Sequence, residues 1–395
     1  MKKWLGYILK TIAAILVSII AIILFFSIQS NLRESKTRQE AAPSTGKFVQ
    51  AGDVELFIQE MGPADGQPIL FIHGTAAWSG LWRETMTPLA EAGYRCIAID
   101  IPPFGFSERP VAPAYGNEDQ AKRIVALMDE LNIESAILFG HSFGGGTTLE
   151  TALMIPDRID ALILEDVGGL NIDIESIDAI PGPALSIFLS APNFVLNPLI
   201  ATTATNPLFT KTLISAMILD PADATDEKIE ILQQPLMLQD ATNTLGDWLQ
   251  SVLRIQQPSL TSYTNNYKSL TMPTLIVWGD SDTVIQIEQG EYLQSLIPNS
   301  ELVVLKGVNH IPHLEDLDAL MGIVLEFLGD NFALSGVSRQ AKRSCWHDTC
   351  AHLHSPALAF GASVRQVQVS STGLQRARSP SAEDEDRLFI GPPME

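Results

Sequence analysis

From Thr11 to Ser30 the chain runs for 20 residues without a charge, dominated by Ile, Leu, Ala and Phe. At 1.5 Å per residue such a helix spans about 30 Å, the thickness of a bilayer's hydrocarbon core. No A-x-A-like cleavage site follows in "FFSIQSNLRES", so the pattern predicts an uncleaved anchor over residues 4–30 rather than a signal peptide. Lys10 sits just before the run, where a long side chain snorkels to the interface. Lys2 and Lys3 face Arg33, Lys36 and Arg38 across it, and the expected orientation puts the body outside the cytoplasm. Residues 31–45 are polar, include Pro43 and Ser44, and read as a tether.

Beyond the tether the pattern changes period. "KFVQAGDVELFIQ" alternates about Gly52-Asp53 and predicts a hairpin. "QPILFIHG", "YRCIAIDIP", "SAILFG" and "IDALILEDVGG" are apolar throughout, and helical spacing separates them at 78–92, in "YGNEDQAKRIVALMDELN" and at 143–155. Strands apolar on both faces, alternating with helices, predict an α/β fold with a mostly parallel, doubly wound sheet. The rhythm stops over 171–270, which is rich in Leu, Ile and Ala, holds several prolines and shows no clear strand; a helical insertion is expected there. It resumes with "MPTLIVWGD", a helix near 287–296, "ELVVLKGVNH" and a helix over 315–332. Residues 46–170 and 271–335 are thus two parts of one core. The tail, 336–395, has few aliphatics and an acidic "EDEDR" cluster, and is expected to be disordered and to add no core.

The net charge of -21 belongs to the body, since both ends are slightly basic, and it sets nucleic acid aside as a partner. Three cysteines are too few for a disulfide framework. Cys96 lies in a strand-like run and reads as a buried thiol. In the tail, "CWHDTCAHLH" has a spacing that fits no common zinc pattern, and neither a metal nor a cofactor is expected.

The chemistry centres on "FGHSFGG", residues 139–145. A Gly-x-Ser-x-Gly frame alone arises easily by chance. Here it follows an apolar strand and opens a helix, a tight turn that needs small residues at 140 and 144 and projects the Ser142 hydroxyl above the sheet edge. The same turn puts the Phe143 N–H at a helix start, where backbone donors favour a developing oxyanion. A serine hydroxyl needs a base, and imidazole is suited to that near neutral pH. Outside the tail the histidines are His73, His141, His310 and His313. His141 is too close in sequence to face Ser142, which leaves His73 and, together in one loop, His310 and His313. For the acid, Asp280 and Asp282 follow one strand and Asp166 another. Trp78 and Trp82, at helical spacing, read as core.

With "FIHGTAAW", "DIPPFGFSERP", "VWGDSDTVI" and "GVNHIPHLEDL" in that order around the elbow, the chain resembles the α/β-hydrolase fold superfamily over about residues 46–333. Pro103 and Phe104 depart slightly from the superfamily's Asp-x-x-Gly-x-Gly-x-Ser element. The resemblance implies Ser142 as nucleophile, Asp282 as acid and His310 as base, with oxyanion donors from the backbone N–H groups of Thr75 and Phe143. Some members of the superfamily place the acid where Asp166 stands. Asp280 is then expected to fix its turn, and His313 to be a packed or solvent-facing residue.

The resulting expectation is a membrane-anchored serine hydrolase, partnered by the bilayer through residues 4–30 and by a small-molecule carboxylic ester with a hydrophobic acyl group. Dehalogenases and epoxide hydrolases of the superfamily would carry Asp at position 142. Hydrolysis of carbon–carbon bonds in ring-cleavage products, cofactor-free perhydrolysis, and a tethered receptor with a vestigial site are the alternatives.

Overall fold

The computed structural model describes residues 2–168, 191–253, 258–332 and 364–367. A nine-stranded sheet organises the body, in the order β1-β2-β4-β3-β5-β6-β7-β8-β9. β1 (Gly46–Ala51) and β2 (Val54–Met61) form the antiparallel hairpin expected from the alternation, with Gly52 at φ +66° in its turn. β2 also runs antiparallel to β4 (Arg95–Ile99). The rest of the ladder is parallel: β3 (Pro68–Ile72), β5 (Ala136–His141), β6 (Ile159–Glu165), β7 (Thr274–Gly279) and β8 (Ser300–Leu305).

Both faces are covered, which is why these strands read as continuous apolar runs. Leu70, Ile72, Ile97 and Leu138 join one core with helices Asn117–Glu130, Phe143–Met154 and Ile287–Leu296. The alternate residues Ile69, Phe71, Ala98 and Phe139 join the other with helices Arg83–Glu91 and Leu317–Asn331. Cys96 is buried in that second core, and burial pushes its thiol up to about 12. Trp82 and Trp78 are core residues, as their spacing suggests. The chain leaves the central β3 for β4 on one side and later β5 on the other, so a crevice opens at the carboxyl ends of the strands.

Between β6 and β7 the described residues form a cap of helices Asn193–Thr202, Pro207–Ser215, Asp226–Gln233 and Ala241–Leu253 joined by short turns. The cap touches the catalytic edge. Met217 O accepts the His310 N–H at 3.1 Å, and Trp248 meets Phe104 and Phe143 edge to face at 5.2 and 5.7 Å. Residues 169–190, the start of the expected insertion, lie outside the described residues.

Two expectations are corrected. Residues 31–45 are not a free tether. One helix, Lys2–Arg33, carries the chain directly onto the cap. Arg33 Nε donates to Leu236 O at 2.9 Å, the Glu34 carboxylate accepts from Thr242 N and Oγ1, and Gln239 N donates to Lys36 O at 2.9 Å. A capping box of Thr37 and Glu40 then starts the short helix Arg38–Ala41, and Arg38 pairs with Glu55 of β2. Polar residues that read as solvated linker are instead satisfied by cap backbone about 200 positions away. The tail is corrected in one place: Val364–Val367 pair in parallel with Leu302–Leu305 as β9. The rest of it, including Cys345 and Cys350, lies outside the described residues.

Candidate active site

Ser142 sits between β5 and the helix Phe143–Met154 with φ 49° and ψ -123°, a conformation that side chains other than glycine rarely take. The strain is held by the surroundings. Ser142 N donates to Glu165 O at 3.0 Å, and Ser142 O accepts from both Gly145 N and Gly168 N at 2.9 Å. A β-carbon on Gly144 would stand 2.3 Å from Ile72 O and 2.5 Å from His73 O, so only glycine lets the elbow close against β3.

The structure brings the expected residues together. Ser142 Oγ lies 3.0 Å from His310 Nε2, and His310 Nδ1 lies 2.9 Å from Asp282 Oδ2. With the acid accepting the Nδ1 proton, Nε2 is left as the acceptor facing the serine hydroxyl. Burial would raise the Asp282 pKa, but the His310 hydrogen bond and the N–H groups of Ile285 and Val284 outweigh it and hold the carboxyl below its ordinary value. Such a line can take a proton from the serine and return it to a leaving group. Gly74 is so close that a β-carbon there would stand 3.0 Å from Ser142 Cβ, which brings the Thr75 backbone beside Ser142. Phe143, the other expected oxyanion donor, is the first residue of the helix. His73 anchors this loop: Nδ1 donates to Gly74 O at 2.8 Å, and Nε2 accepts from Ile101 N. Burial lowers its pKa to about 4 and keeps it neutral.

The competing residues find other places. Asp280 fixes its turn by accepting from Gly307 N and Ser281 Oγ. His313 is packed, stacked on Trp82 with ring centroids 4.5 Å apart, and its Nδ1 donates to Glu165 at 2.9 Å. Asp166, at φ 42°, accepts from Gly279 N and is fully buried. One oxygen of it lies within 4.8 Å of both Asp282 and His310. Burial first, then the charges of Asp282 and Glu165, raise its pKa well above the ordinary value, which favours its protonated form beside Asp282. These three residues resemble a cation site in composition, but His310 Nδ1 and Asp282 Oδ2 are already bonded to one another at 2.9 Å.

Sequence reasoning missed the supports. Glu165 also accepts from His313 N, and His313 opposes the effect of burial to hold its carboxyl below the ordinary range. His141, driven down to about 3 by burial, donates through Nε2 to His310 O at 2.8 Å. The Glu315 carboxylate gathers the N–H groups of Asn309, Ile311 and Leu219, and Asn309 Oδ1 accepts from Thr283 N. The signal for Glu165 was present as a charge ending an apolar strand. For Glu315 there was none.

Residues 67–317 match the alpha/beta hydrolase fold family. The chain is 26% identical over 297 residues to the 2-hydroxy-6-oxononadienedioate/2-hydroxy-6-oxononatrienedioate hydrolase of Cupriavidus pinatubonensis, covering 74% of this chain and 97% of that one. The meta-cleavage product hydrolase of Pseudomonas fluorescens superposes with a TM-score of 0.58 at 25% identity, over 73% of this chain and 99% of its own. A putative lipase from Acinetobacter baumannii superposes with a TM-score of 0.59 at 23% identity, over 78% and 96% of the two chains, a likeness of fold alone. By its sheet, its elbow and a family match over more than half its length, this chain belongs to the alpha/beta hydrolase fold family.

Proposed function

We propose that the chain is a serine hydrolase that cleaves a carbon–carbon bond beside a ketone in a ring-cleavage product of the 2-hydroxy-6-oxo-dienoate class. The observation that carries this reading is the hydrogen-bonded series Ser142, His310, Asp282 in a chain whose similarity to hydrolases of such compounds spans nearly their whole length. Ser142 attacks the ketone carbon while His310 accepts its proton and Asp282 offsets the imidazolium charge. The substrate reacts as its 2-oxo tautomer, in which the 2-hydroxyl proton has moved to the carbon beside the ketone. The bond between that carbon and the ketone breaks, its electrons pass into the conjugated 2-oxo system, and His310 returns the proton to the leaving fragment. Water, deprotonated by His310, then releases the acid from Ser142. The N–H groups of Thr75 and Phe143 are assigned to the oxyanion. This reading replaces the ester as first substrate. Ester hydrolysis is the second reading, favoured by the apolar helix Lys2–Arg33, which suits a substrate that partitions into lipid.

The test is a fluorophosphonate probe followed by two substrates. Labelling is expected in the wild type and lost in Ser142→Ala. Loss of dienoate absorbance with a higher kcat/KM than release of aryl butyrate supports the first reading. The reverse order assigns the site to esters, and labelling that persists in Ser142→Ala refutes the nucleophile.

The described residues hold one helix long and apolar enough to cross a membrane. We propose that it is a single-pass anchor, with the catalytic body on the extracytoplasmic side. Its length and its charge-free run support this reading.

A further inference from the structure

Resting on the anchor reading just given, we propose that the cap is a second membrane-contacting element. Its apolar face lies in the bilayer interface beside the anchor, which fixes the catalytic body against lipid.

The helix Lys2–Arg33 is used in two ways along its length. From Tyr7 to Ile22 every residue is exposed, whereas Ile23, Phe26, Ser27 and Ser30 are buried or half-buried. Those four positions follow the i, i+3, i+4, i+7 spacing of one helix stripe. The helix packs against Asn193–Thr202 of the cap. Of the charge-free run from Thr11 to Ser30, residues 11–22 are exposed throughout and cover only about 18 Å of helix, so the contact with the cap begins within the span. Its last two turns, residues 23–30, therefore hold the cap helix at the level of the interface. The hydrogen bonds of Arg33, Glu34 and Lys36 to residues 236–242 leave no slack between the anchor and the cap.

The cap's surface suits that position. Outside the N-terminal helix, ten large apolar side chains are exposed among the described residues. Six of them, Phe194, Val195, Leu208, Phe209, Leu213 and Leu219, fall within one short stretch of the cap. Phe194 and Leu208 are 80% and 74% exposed, which monomeric proteins in water avoid when such residues are concentrated in one region. The charge pattern points the same way. Between Asp178 and Asp220 the only charged residue is Lys211, in a chain of net charge -21. Lys211 pairs with Asp226 of the next cap helix at 3.4 Å, so the stretch 194–219 meets lipid as a nearly neutral, apolar surface, whereas the acidic body is repelled by anionic headgroups. The same cap supplies Met217 to the His310 loop and Trp248 to Phe143, so an apolar substrate leaving the lipid would meet the cap beside Ser142.

Nitroxide labels on the full-length chain test this, with Cys345→Ser and Cys350→Ser to remove the tail thiols and Cys96 left buried. Leu16→Cys, Phe194→Cys, Leu208→Cys and Val111→Cys are labelled one at a time in vesicles of phosphatidylcholine and phosphatidylglycerol. Collision with oxygen is then compared with collision with a water-soluble nickel chelate. All four parent side chains are exposed. The expected oxygen-to-nickel ratio is several-fold higher at 16, 194 and 208 than at 111. A high ratio at 16 with 194 and 208 matching 111 leaves the anchor standing and overturns the cap proposal. A low ratio at 16 overturns the anchor reading, and the proposal with it. Positions 194 and 208 shielded from both quenchers would mean that a second copy or another protein covers the face, and would also overturn it.

Discussion

In the proposed mechanism, replacing Asp282 by Asn keeps the size of the side chain and removes the charge that faces the imidazolium formed when His310 takes the Ser142 proton. In serine–histidine–acid relays that exchange costs about 10^4 in kcat, because the amide also favours the wrong tautomer. This site has a second carboxyl close by, since an Asp166 oxygen lies within 4.8 Å of His310 and Asp282. Asp166 keeps its proton through burial and through the charges of Asp282 and Glu165. With Asp282 neutralised, one of those charges is gone and Asp166 is freer to ionise. At that separation and an effective dielectric of about 20, a carboxylate stabilises the imidazolium by about 3.5 kcal/mol, or roughly 300-fold. Asp282→Asn is therefore expected to lose only about 30-fold in kcat where rising pH has ionised Asp166, and more at lower pH. The double variant Asp166→Asn/Asp282→Asn should lose the full 10^4 or so. Asp166→Asn alone should change kcat little, because an amide replaces a protonated carboxyl of the same shape. The assay is kcat against pH, from pH 5 to 9, on the substrate the wild type prefers. Equal rates for Asp282→Asn and the double variant at every pH would refute a supporting role for Asp166.

Breaking the buried pair of Glu165 and His313 with Glu165→Gln or His313→Ala is expected to lower stability by about 3–5 kcal/mol, read as a shift in the urea midpoint. The native Glu165 carboxyl sits below its ordinary value, so its contribution is present above the unfolded value of about 4.3 and fades as pH falls through the lower native one. Glu165→Gln should flatten that acid limb, and an unchanged midpoint with an unchanged limb would show that the pair contributes nothing. Removing residues 1–22 should leave the unfolding midpoint where it is, since, among the described residues, 7–22 are exposed throughout. Removing 1–42 deletes the hydrogen bonds of Arg33, Glu34, Lys36 and Arg38, for a loss of about 3–6 kcal/mol. Equal midpoints for the two truncations would return residues 31–45 to the status of a tether.

What the sequence by itself determined is whatever a local pattern encodes. Continuous apolar strands spaced by helical periods specify a sheet covered on both faces, and every core strand from β3 to β8 was legible in that way, with the β1–β2 hairpin legible from alternation. The elbow was legible because a strand, a serine between glycines and a helix are contiguous in the chain. The order of the four flanking motifs added a family. The choice between Asp282 and Asp166 was of another kind. Both end neighbouring strands at one sheet edge, and only the path of the loop after β7 puts Asp282 on His310 and leaves Asp166 protonated behind it. His310 and His313 are three residues apart, and the turn between them sends one to Ser142 and the other to a buried glutamate 148 positions earlier. The docking of residues 33–39 on the cap was equally invisible, because a polar segment reads alike whether water or distant backbone satisfies it. Periodicity reports which face of an element is buried; the partner that a polar group finds across 28 or 208 residues is decided only when the chain has closed on itself.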